Sequence, residues 1–180
     1  DNNYLVKGNS FNLSKIVDSL LSSDNNKRSE LFNNNFKLIF DIKKIYLDKV
    51  NSVNNFKGNL FLKDNKVHEL ILDANFSNQK NIKLTIKTKG GEQITTLFSG
   101  NAKPLIDRYK FIKGFNEGVL DFYSIKKNNN TTSKLKIYDF KLKELPALTN
   151  LLTLASLQGI ADLLSGEGIR FNEFEMNFTN

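Results

Sequence analysis

Apolar and polar residues alternate along most of this chain, and a period of two predicts strands with one oily face. Phe36, Leu38, Phe40 and Ile42 share one side of a strand over 36–47. The phase shifts at Lys43-Lys44, where Ile45 and Leu47 take over, and that shift predicts a bulge or bend. Phe56, Gly58, Leu60 and Leu62 form the next apolar row, followed by Leu70, Leu72, Ala74 and Phe76, then Ile82, Leu84 and Ile86. Asp64-Asn65 and Asn78-Gln79 stand where turns are needed, and Gly90-Gly91 is a hairpin signal before a strand over 93–98. Connections this short cannot cross over, so these strands are expected to be antiparallel neighbours.

Other segments follow different patterns. A short strand is expected over 4–7, and Leu13, Ile16, Val17, Leu20 and Leu21 keep the helical period after Ser10 or Asn12 as a cap. A helix over 101–111 carries Pro104 in its first turn. A hairpin of 118–125 with 133–142 closes through Asn128-Asn129-Asn130. Pro146 opens an apolar helical region over 146–164, and Gly166-Glu167-Gly168 then turns the chain into a last strand over 169–178 with Phe171, Phe174, Met176 and Phe178. The fold class expected is mainly β with a few helices (α+β): a curved antiparallel sheet forming an open hydrophobic groove, flanked by short helices and the apolar helix. The chain is read as a single region over 1–180. Residues 1–98 give a helix and antiparallel strands, and 99–180 give a helix, a hairpin, the leucine-rich helix and a final strand. A last strand ending in mid-pattern leads us to expect a piece of a longer protein.

Composition narrows the function. With 180 residues, 39% hydrophobic and 25% charged, the chain can bury a core without staples. It has no cysteine, hence no disulfide framework and no thiolate chemistry. No apolar run approaches the roughly 20 residues that span a bilayer. The net charge of +7 invites a nucleic-acid reading, but the lysines are spread singly along strands and the arginines are only Arg28, Arg108 and Arg170. A lysine-rich solvated face explains that better than phosphate recognition, and attraction to an anionic membrane surface stays open.

No catalytic constellation is legible. The one histidine, His68, lies between Val67 and Glu69 on a strand and reads as a surface residue. No Gly-x-Ser-x-Gly elbow occurs, and acidic residues are scattered, with no convergent metal-ligand set. Gly166-Glu167-Gly168 follows a helix and lacks a third glycine, so it reads as a tight turn, not a dinucleotide fingerprint. Glu117, Asp121 and Asp139 fall on a hairpin opposite lysines and read as solvated cross-strand ion pairs. Leu145 to Leu157 is apolar nearly all round, which suits either a helix plugged into the open sheet face or a segment meeting lipid.

The stretch over 140–171 resembles the signature near the C-terminal end of AsmA-like proteins of the YhdP type. The resemblance rests on Pro146, Leu151, Leu152, Ala155, Ser156, Leu157, Gly159, Leu164, Gly166, Glu167, Gly168, Ile169 and Phe171. An upstream block also fits, from Phe98-Ser99-Gly100-Asn101-Ala102 through Tyr109, then Lys113-Gly114 to Gly118-Val119-Leu120. It departs at Asn101, where the family favours an acidic residue, and at Phe115-Asn116-Glu117, read as an enlarged glycine turn.

That family implies a long β-gutter with an oily concave face for phospholipid acyl chains, anchored in the inner membrane and reaching across the periplasm. It implies no cofactor, no metal and no enzymatic activity. The expected partners are phospholipids, membranes at the groove ends and other envelope proteins, with no nucleic acid. The oily face is assigned to Phe36, Leu38, Phe40, Leu60, Leu62, Leu70, Leu72, Ile82, Leu84, Ile86, Leu120, Phe122, Leu135 and Ile137. The alternative is a non-catalytic scaffolding module that pairs through its sheet edges with other envelope components.

Overall fold

The computed structural model describes residues 2–13, 35–64, 66–109, 114–143 and 168–180. These form one open, curved sheet of nine strands in sequence order: β1 (Asn2–Asn12), β2 (Phe36–Tyr46), β3 (Ser52–Lys63), β4 (Lys66–Phe76), β5 (Asn81–Lys89), β6 (Glu92–Ser99), β7 (Phe115–Lys127), β8 (Asn130–Leu142) and β9 (Ile169–Thr179). From β2 onward every neighbouring pair is antiparallel. Tight turns join several of them. Gly90 and Gly91 take φ of 60° and 81°, the left-handed pair that a two-residue hairpin turn demands.

The sheet is mixed, not wholly antiparallel, because β1 pairs parallel with β2. The short-connection argument does not apply there: residues 13–35 are long enough for the crossover a parallel pair requires. β1 also extends well past the short strand expected over 4–7, since its Asn, Gly and Ser residues hide the alternation. Of the helix expected over 101–111, the described residues form the four-residue α1 (Lys103–Ile106) and a 3-10 turn (Asp107–Tyr109). Pro104 does occupy its first turn. Phe115-Asn116-Glu117 opens β7 and is not an enlarged turn. The helix expected over 13–21, apart from Leu13, and the helix expected over 146–164 lie outside the described residues, as do Pro146, Leu151, Leu152, Ser156, Leu157, Gly159 and Gly166.

Alternation breaks where the sequence pattern shifts. Ile42 and Ile45 join one buried cluster with Val53, Ala74 and Phe76, and Leu47 packs against it. Opposite Lys43, Asn55 adopts φ 55°, so both strands re-aim their side chains together. The same device recurs at Glu117 (φ 63°), Gly118 (φ 86°) and Asp139 (φ 50°), beyond which Phe115, Phe140 and Leu142 turn inward. Their cluster also takes in Ala102, Ile106, Leu120, Ile137 and Ile169.

Both clusters sit at one end of the sheet, and the α1 connection ties them together. The Arg108 guanidinium donates to the Leu47 carbonyl at 2.7 Å. In a flat sheet with strands about 4.8 Å apart, β2 and β6 would lie about 19 Å from each other. Curvature closes that gap. The connection crosses the apolar face, where Ile106 is buried, so that face is the inner side of the curl at this end. The β2–β3 corner is pinned by Asp48, whose carboxylate accepts from the Val50 amide (2.7 Å), the Asn51 amide (2.6 Å) and the Asn51 side chain (2.9 Å). Partial burial raises the Asp48 pKa, but these donors and the Arg108 charge outweigh it and leave it lowered.

Candidate functional site

Cross-strand register places every oily-face residue expected from the sequence on one side of the sheet. One row runs Phe40–Gly58–Leu72–Leu84–Leu97–Phe122–Leu135–Met176, with no polar side chain on any strand from β2 to β9. Leu38, Leu60, Leu70 and Ile86 form a parallel row that turns to hydroxyls at Thr95, Ser124 and Ser133. The Ser133 hydroxyl donates to Ser124 at 3.0 Å, which satisfies two buried polar groups within this face. Ile82, Leu120 and Ile137 lie in a third row. Phe36, Leu62, Leu120 and Ile137 are buried, while Leu38, Phe40, Leu60, Leu70, Leu72, Ile82, Leu84, Ile86, Phe122 and Leu135 are half-buried.

Leu97, Phe174 and Met176 belong to the same surface and were not among the expected site residues. Over 93–98 apolar residues occupy both parities (Ile94 and Phe98 against Leu97), so periodicity alone does not say which side faces in. The register with Leu84 and Phe122 decides it.

The opposite face mixes charged and polar residues with apolar ones such as Ile39, Ile71 and Phe98, and its charges alternate across strands. Asp41, Lys57, Asp73 and Lys83 stand opposite one another in turn, as do Asp121, Lys136 and Glu175. A shallow depression of about 310 Å³ lies mainly on this side, bordered by Lys83, Thr85, Phe98, Asp121, Tyr123 and Lys136. His68 is exposed, its ring edge-on to Phe61 at 5.3 Å. Among the described residues no three His, Cys, Asp or Glu side chains converge as metal ligands, and no helix is long and apolar enough to cross a membrane.

Of the hairpin acids, Glu117 forms the cross-strand ion pairs that the pattern suggests. It meets Lys141 at 3.3 Å and Arg170 at 3.0 Å, and these contacts, Lys141 foremost, lower its pKa. On β9, Glu173 pairs with Lys136 at 2.7 Å, and Glu175 pairs with Lys134 and Lys136 at 3.0 Å each. Hydrogen bonds from Asn177, then Lys136 and Lys134, hold Glu175 down to about 2. A carboxylate with its folded value below its ordinary 4.5 stabilises the fold above that pH and loses its contribution as pH falls through the folded value. The melting temperature is therefore expected to drop between pH 4.5 and about 2, and Glu175→Gln should remove part of that drop. Thermal melts of both proteins across that window test it; identical pH profiles would show that the ladder does not hold β9.

Of the residues over 140–171 that carry the family resemblance, Gly168, Ile169 and Phe171 are described. Gly168 takes φ 82°, and a Cβ there would meet the Leu142 carbonyl oxygen at 2.6 Å, so the turn into β9 requires glycine. Ile169 is buried and Phe171 half-buried. No protein-family model, curated protein or solved structure matches this chain.

Proposed function

We propose that the apolar face is a groove for phospholipid acyl chains, and that the protein binds or conducts lipid without performing chemistry on it. The observation that carries this reading is the central apolar row, which continues from β2 to β9 without a polar side chain. A domain core needs such a row only as far as its covering layer reaches. An extended half-buried row suits a long, flexible hydrocarbon ligand. Each methylene moved from water onto such a surface gains roughly 0.8 kcal/mol, so an acyl chain needs no specific polar contact to be held. The resemblance to AsmA-like proteins points the same way. On this reading the chain works in the periplasm, as part of an inner-membrane-anchored envelope protein with membranes at the groove ends. Nucleic acid has no role in it.

The test is mass spectrometry of organic extracts from the purified protein and from Leu84→Asp. Leu84 lies mid-row between Leu72 and Leu97 and is half-buried, so a carboxylate there meets the ligand first. The wild type is expected to carry phospholipid near stoichiometry, and Leu84→Asp, with an unchanged far-ultraviolet spectrum, to lose most of it. A lipid-free wild type, or a folded Leu84→Asp that loads normally, overturns the proposal.

A further inference from the structure

The two borders of the sheet are complementary to each other. β1 forms one border and β9 the other, each of eleven residues, and among the described residues no strand pairs with the outward side of either. The alternating directions from β2 to β9, with β1 parallel to β2, make β1 and β9 run in opposite senses. Set side by side from two copies in the same orientation, they form an antiparallel pair.

Among the described residues, main-chain groups are directed outward on both borders. Asn180 and Thr131 exchange both hydrogen bonds, at 2.8 and 2.9 Å. The ladder therefore turns Phe178 and Met176 toward β8, and leaves Thr179, Asn177 and Glu175 with their N–H and C=O groups directed off the edge. On β1 the Leu13 N–H donates to the Tyr46 carbonyl at 2.9 Å, which by the same alternation directs Ser10 outward. Edge strands are ordinarily blunted by proline, bulges or charge. β1 has no proline and one charge, Lys7, and it exposes Tyr4, Leu5, Val6 and Phe11.

The side chains match as well. On the apolar face, exposed Met176 and Phe178 on β9 would continue into exposed Tyr4 and Val6 on β1. On the polar face, Lys7 of β1 would come beside Glu173 and Glu175 of β9, which also pair with Lys134 and Lys136 of β8. We infer that a second copy of this chain adds to the sheet head to tail, its β1 pairing antiparallel with β9 of the first. Such a contact is heterologous and does not close, so copies add in an open series. The inference stands on the edges alone and does not depend on lipid binding.

Sedimentation velocity over a wide concentration range tests it with two edge variants. Ser10→Pro and Asn177→Pro each remove an N–H directed off the edge, and neither removes a ladder bond within the sheet. Val6→Lys and Met176→Lys, at exposed side chains of the same strands, repeat the test if a proline variant misfolds. The wild type is expected to assemble in a concentration-dependent series, and each variant alone to sediment as a monomer. An equimolar mixture is expected to give a heterodimer, because the free β9 of one variant meets the free β1 of the other. A monomeric wild type at all concentrations, a single-edge variant that still dimerises, or a mixture that stays monomeric overturns the inference.

Discussion

Phe140→Ala is expected to lower the free energy of unfolding by about 4 kcal/mol, close to the whole margin of a small domain. Phe140 is 3% exposed and sits between two other rings. Phe115 stacks on one side at 5.3 Å and 17°, and Phe171 on the other at 5.1 Å and 12°. The three rings come from β7, β8 and β9, so this stack holds the last three strands together at the end where the sheet is best buried. Truncation to alanine loses the buried ring, leaves a cavity between two flat faces, and removes two stacking contacts of about 0.5–1.5 kcal/mol each. Phe178→Ala serves as the comparison, because Phe178 lies on the same apolar side but is 42% exposed, and its cost should stay near 1 kcal/mol. Urea unfolding at matched pH measures both. A Phe140→Ala midpoint close to that of the wild type would show that the stack is not part of the cooperative core.

The place of Phe140 in that stack also marks the limit of what periodicity tells. Counting by two from Leu135 and Ile137 puts Asp139 on the inner face and Phe140 outside. The left-handed backbone at Asp139 reverses this, and the polar residue is the one that tolerates φ 50°. At Lys43-Lys44 the same reversal was legible, because Ile45 and Leu47 visibly take over the apolar phase. At Asp139 the apolar residues Tyr138 and Phe140 fall on either side of the break, so no phase change stands out.

The presence of the strands from β2 onward, the hairpin turns and the common side of the oily rows were legible because each depends on local alternation and turn chemistry. Strand direction at β1 was not, since the long stretch of sequence between β1 and β2 allows either direction. Nor was Leu97, whose side is settled by its neighbours Leu84 and Phe122 and not by its own segment. The hydroxyl patch of Thr95, Ser124 and Ser133 comes from three separate strands, and only their register brings it together.

Gly58→Ala is expected to cost about 3 kcal/mol, the upper end of the range for overpacked sites. The reason is space and not backbone angle. Gly58 lies outside the left-handed region, so alanine suits its conformation and gains about 0.4–1 kcal/mol through the unfolded chain. A Cβ at this position, however, overlaps the Ile71 carbonyl oxygen and comes within 2.8 Å of Leu72 Cδ2. The leucine can rotate away, but the carbonyl belongs to the neighbouring strand and moves only if β4 moves. β3 and β4 already change register between Asn54 and Lys57, so this is where the pair has least freedom to absorb a further shift. Gly8→Ala is the matched control: its Cβ would find only the Ser10 carbonyl oxygen, at 3.9 Å, and the substitution should be neutral or slightly stabilising. Urea midpoints of the two variants separate the explanations. If both shift alike, the effect is a general property of glycine in these strands; if Gly58→Ala alone falls, close approach of two backbones beneath the central apolar row is what the glycine provides. Because Gly58 stands between Phe40 and Leu72 in that row, the same substitution is also expected to displace the two side chains beside it. A stability defect here would then be accompanied by weaker lipid loading, while Gly8→Ala leaves both unchanged.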